Sequence, residues 1–130
     1  MRRAIGMRLT GGVNDLDQLV GAWLTLPDVA DRLGIDVGKV RRLVQDRVLV
    51  AVRRGDPKVL SVPEALLMDG QPLLELRGTL TVLADCGFDD AAALEWLFTP
   101  DDSLPGGTPV QALRAGHKTE IRRRAQALAL

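Results

Sequence analysis

Apolar residues recur at helical spacing along most of this chain, and at strand spacing in one place. Between Thr25 and Asp46, Val29, Ala30 and Leu33 form one short stripe, and Val37, Val40, Leu43 and Val44 form another. Both follow the three-and-four periodicity of an amphipathic helix. Thr25 and Asp28 stand at capping-box spacing, and Pro27 fits a first helical turn. Between the stripes, Gly34 suits the left-handed conformation that stops a helix, Ile35 plugs the angle and Asp36 can cap the second helix. The pattern predicts two helices joined by a tight turn, the second running from about Val37 to Arg47.

Ahead of this pair, Leu16, Leu19 and Val20 predict a short helix from Asp15 to Trp23, preceded by an arm that carries Arg2, Arg3 and Arg8. Thr10 lies beside those arginines, where phosphorylation would oppose a phosphate contact. Behind the pair, two β-branched runs between Val48 and Val62 flank Arg54-Gly-Asp-Pro-Lys58, the composition of a β-hairpin. Ser61-Val-Pro-Glu64 has the spacing of another capping box and predicts a helix ending at Asp69-Gly70, with 71–75 as a connection. Farther on, stripes through Leu80, Leu83 and Ala84 and through Ala92, Leu94, Trp96 and Leu97 predict helices. A third starts at Thr108-Pro109, and a last one runs from about Lys118 to Leu128. The expected fold is mainly α: a winged helix-turn-helix with one β-hairpin, followed by a small helical C-terminal domain. The expected divisions are 1–22, 23–70 and 71–130.

Charge sharpens the picture. The chain of 130 residues has no net charge, yet its charges are segregated. Residues 39–58 carry seven Lys or Arg against two Asp, whereas residues 59–113 carry one Arg against nine acids. A basic segment in a neutral protein still attracts a polyanion, because charges act within a Debye length of about 10 Å. On the second helix of the pair, Lys39, Arg42 and Gln45 fall opposite the apolar stripe, with Gly38 beside them and Arg41 at the edge. A helix of that size is about 15 Å long and can lie in a DNA major groove. Arg53, Arg54 and Lys58 sit at the hairpin tip, where a wing grips the sugar-phosphate backbone. The candidate DNA-binding residues are therefore Lys39, Arg41, Arg42, Gln45, Arg53, Arg54 and Lys58. The Arg122-Arg-Arg124 run reads equally as a second phosphate contact or as a solvated helix end.

Other chemistry has little support. Cys86 and His117 are the only residues of their kinds, and no nucleophile, metal-ligand or nucleotide pattern accompanies them. Gly106-Gly107 lacks the following Gly-Lys-Ser/Thr of a phosphate loop. No catalytic residue, metal or cofactor is expected. The Met1-Arg-Arg start has no secretory apolar region, no apolar run reaches membrane-spanning length, and a lone cysteine suits a reducing cytoplasm.

The order of elements resembles a family of small actinobacterial DNA-binding proteins with a winged helix-turn-helix and a helical C-terminal domain of unassigned role. The resemblance rests on Leu26-Pro-Asp-Val-Ala30, Leu49-Val-Ala-Val-Arg-Arg54, Trp96-Leu-Phe-Thr-Pro-Asp101, Pro109-Val-Gln-Ala-Leu113 and Arg123-Arg-Ala-Gln-Ala127. It implies double-stranded DNA as partner, transcription regulation or nucleoid association, and a cytoplasmic location. Trp96-Leu-Phe-Thr-Pro100 with Ser103-Leu-Pro-Gly-Gly-Thr-Pro-Val-Gln-Ala-Leu113 is also similar to the C-terminal domain of antitoxins. That second resemblance implies a protein partner at the C-terminal domain.

Overall fold

The computed structural model describes residues 15–129. The basic arm and Thr10 lie outside the described residues. The chain opens in helix α1 (15–20), and strand β1 (Trp23–Thr25) comes after it. Next are α2 (Leu26–Leu33) and α3 (Val37–Gln45). The wing is β2 (Val52–Arg54) and β3 (Val59–Pro63). A 3-10 turn at Glu64–Leu66 leads into β4 (Leu67–Met68) and β5 (Gln71–Pro72). Helices α4 (Leu76–Asp85), α5 (Asp90–Phe98), α6 (Pro109–Arg114) and α7 (Lys118–Ala127) complete it.

The fold is the expected one: a winged helix-turn-helix followed by a helical C-terminal region. Two local expectations are corrected. The first helix ends early, because Gly21 adopts φ 81° and donates its N–H to the Asp17 carbonyl. That turn frees Trp23 to enter a strand instead of the helix expected to hold it. The helix expected from Ser61 is reduced to the 3-10 turn at Glu64–Leu66. Ser61, Val62 and Pro63 lie in the central strand β3, paired on one side with β1 and on the other with β2. Ladders on both flanks outweigh one local cap, and the Ser61 hydroxyl donates to the Val59 carbonyl instead of capping a helix (3.1 Å). Asp69-Gly70 then serves as the turn of the β4–β5 hairpin, not as a helix stop.

The sheet register sorts side chains between two faces. Cross-paired residues share a face and neighbours alternate. Trp23, Thr25, Val52, Arg54, Ser61 and Pro63 therefore lie on one side, and Leu24, Arg53, Leu60 and Val62 on the other. Leu24 and Val62 are buried, and α2 packs against both β1 and β3. One apolar core then runs the length of the molecule. It joins Val29, Val40, Leu49 and Val62 of the helix-turn-helix to Leu66, Leu76, Leu80, Leu83, Leu94, Leu97 and Ile121 behind it.

Two polar staples tie the halves across this core. Arg114 of α6 donates through Nη1 to the carbonyls of Ala65 (2.9 Å) and Leu67 (2.6 Å). Arg47, in the left-handed region just past α3 (φ 61°), pairs with Asp90 at the start of α5. Among the described residues, no helix is long and apolar enough to cross a membrane.

Candidate nucleic-acid interface

The turn between α2 and α3 is built as its residues dictate. The Thr25 hydroxyl accepts the Asp28 N–H (3.3 Å), and the Asp28 carboxylate accepts the Thr25 N–H (3.1 Å). The bond from the Thr25 backbone is the main reason the Asp28 carboxyl is held below its usual range. Gly34 closes α2 at φ 70°, and its N–H and that of Ile35 both reach the Ala30 carbonyl (2.8 and 3.1 Å). Asp36 caps α3 by accepting the Lys39 N–H at 2.9 Å. These contacts set the angle at which α3 leaves the body.

Helix α3 buries Val40 completely and half-buries Val37, Leu43 and Val44. Gly38, Lys39, Arg41, Arg42 and Gln45 are exposed. The polar side of α3 is thus open to solvent and not covered by the C-terminal helices. In the wing, Arg53 and Lys58 are exposed while Arg54 is half-buried. Arg54 pairs through Nε with Asp17 of α1, and its guanidinium lies 5.0 Å from the Trp23 ring centre.

Ion pairing separates the cations into two sets. Lys118 and Arg122 pair with Glu75, Arg123 with Glu120, and Arg124 with both Glu120 and Asp101. Arg32 pairs with Glu64. Among the described residues, Lys39, Arg41, Arg42, Arg53 and Lys58 take part in no such pair, and neither does the isolated Arg77 of α4. The tail run 122–124 is therefore knitted into its own domain, while the α3 and wing cations keep their donors for something else. The groups that sequence reasoning missed are Asp17 and Trp23, which engage Arg54, and Asp90, which engages Arg47. Each pair joins residues distant in sequence, so periodicity carried no sign of it.

An exposed polar helix behind a tight turn, backed by a three-stranded antiparallel wing with free cations at its tip, defines the winged helix-turn-helix class. Two family profiles match the chain: "DNA-binding protein Rv2175c, wHTH domain" over residues 14–67, and "Rv2175c C-terminal domain of unknown function" over residues 74–129. The DNA-binding protein Rv2175c of Mycobacterium tuberculosis (strain H37Rv) is 40% identical over 116 residues, covering 80% of this chain and 78% of the relative. The NMR structure of Rv2175c superposes with a TM-score of 0.75 at 38% identity, covering 84% of this chain and 82% of that one. The chain belongs to the Rv2175c family.

Proposed function

We propose that this protein is a non-enzymatic binder of double-stranded DNA, serving in the cytoplasm as a transcription regulator or nucleoid-associated factor. Helix α3 lies in the major groove, where Lys39, Arg42 and Gln45 approach base edges, and Arg41, Arg53 and Lys58 hold phosphates. The observation that carries this reading is the clustering of exposed cations with no ion-pair partner among the described residues on α3 and the wing, whereas the tail cations Lys118 and Arg122–Arg124 pair with acids of their own region. Solvated cations with no internal acid are the ones able to displace counterions from a duplex. The printed name of the mycobacterial relative and the wHTH family description support the same partner.

The test is a gel-shift titration with random and genomic duplexes as competitors. Arg53→Ala and Lys58→Ala should weaken binding to every sequence alike. Arg42→Ala should also relax sequence choice if its guanidinium meets a guanine. Binding unchanged in all three variants would overturn the assignment.

A further inference from the structure

Arg53 and Arg54 are neighbours in sequence with the same chemistry, and the sheet sends them to opposite faces. Arg53 shares its face with Leu24, Leu60 and Val62 and is itself exposed in the wing. Arg54 shares its face with Trp23, and Asp17 of α1 reaches it there. Three contacts make this a closed cluster. The Asp17 carboxylate accepts from Arg54 Nε, the guanidinium lies 5.0 Å from the Trp23 ring centre, and Trp23 Nε1 donates to the Asp17 carbonyl at 3.4 Å. The Asp17 and Arg54 side chains are only 29% and 31% exposed. A guanidinium already matched to a carboxylate and an aromatic face has little to gain by moving to a phosphate.

We infer that Arg54 is a positioning residue: a strut that ties the wing to α1 and sets the direction in which Arg53 and Lys58 approach the DNA backbone. This rests on the DNA-binding reading and deepens it by dividing the wing cations into two that touch phosphate and one that orients them. Strand β2 is only three residues long and occupies the sheet edge, so its own ladder fixes the wing weakly. The Asp17–Arg54–Trp23 cluster supplies a second attachment from the far side of the sheet.

The two roles differ in salt dependence. Each phosphate contact adds about 0.9 to the slope of log affinity against log salt. A strut contributes affinity without contributing to that slope. In the full chain, Arg54→Gln and Asp17→Asn should each weaken duplex binding about tenfold, the equivalent of about 1.4 kcal/mol. Both should leave the slope within about 0.3 of the parent value. Arg54→Lys should fail to rescue, since an ammonium cannot lie flat on indole while filling the carboxylate. A slope reduced by about 1 in Arg54→Gln, rescue by Lys, or tighter binding by Asp17→Asn would each overturn the strut.

A second readout needs no DNA. With Trp96→Phe leaving Trp23 as the only tryptophan, Arg54→Gln and Asp17→Asn should both raise quenching of Trp23 by acrylamide. Unchanged quenching in both would also overturn the strut. If the parent protein bound no duplex, the DNA-binding reading would fall, and quenching alone would decide whether the cluster orders the wing.

Discussion

Arg114→Met would show how firmly the two halves of this molecule are joined. Methionine keeps most of the stem and removes the donors, so packing changes little while the Ala65 and Leu67 carbonyls lose their partner. Leu67 is buried and Arg114 and Ala65 are half-buried, so water replaces these bonds only in part. An unmet buried acceptor costs about 1–3 kcal/mol, and one buried and one half-buried acceptor place the loss at about 2–3 kcal/mol. Against a total stability of about 5–15 kcal/mol for a domain, that is a large fraction. Urea unfolding followed by tryptophan fluorescence measures it. A single transition with a lower midpoint and unaltered steepness is expected, because the shared core still couples the halves. Arg114→Lys should recover part of the loss, since one nitrogen, Nη1, serves both carbonyls. A midpoint shift worth less than about 0.5 kcal/mol would refute the reasoning, as would a split into two transitions.

Other outcomes rest on particular residues. Gly106→Ala should destabilise the fold by about 1–3 kcal/mol in the same assay, because φ is 81° there and an added Cβ would lie 2.8 Å from Gln111 Cβ. Acid should weaken the C-terminal helices through Asp101 and Glu120, whose carboxyls are held below their usual values of 3.8 and 4.5. The chief causes are the Ser103 hydroxyl for Asp101 and the Arg124 guanidinium for Glu120. A lowered folded pKa stabilises the protein above the unfolded value, and that stability is lost as pH falls through the folded one. The urea midpoint should therefore drop below about pH 4.5, and less steeply in Asp101→Asn.

Much of the fold was legible because short-range rules governed it. Thr25, Asp28, Gly34 and Asp36 cap or close their helices within a few residues, and so do Asp89 and Thr108. The failures came where distant strands decided. Ser61 carried a valid capping signal, but β1 and β2 claimed it from either side. Trp23 looked like the end of a helix until Gly21 turned the chain toward β3. At the candidate interface, facial separation along α3 marked Lys39, Arg42 and Gln45 because helical periodicity alone fixes which side they take. It could not separate Arg53 from Arg54, whose difference depends on strand register and on an acid 37 residues away. The tail arginines, read equally as a phosphate contact or a solvated helix end, divide the same way: Glu120 pairs with Arg123 and Arg124 at helical spacing, whereas Glu75 and Asp101, which hold Arg122 and Arg124, are remote in sequence.

If the α3 and wing cations meet a duplex together, salt must weaken binding steeply. Fluorescence anisotropy of a labelled duplex, titrated with the full chain from about 50 to 200 mM salt, tests that joint contact most directly. The three phosphate-directed cations, Arg41, Arg53 and Lys58, give an expected slope of about −3 in log affinity against log salt, steeper if Lys39 and Arg42 also displace counterions. Over that range the affinity should fall by at least about 40-fold. A slope near zero, or one untouched by removing both Arg53 and Lys58, would contradict the account.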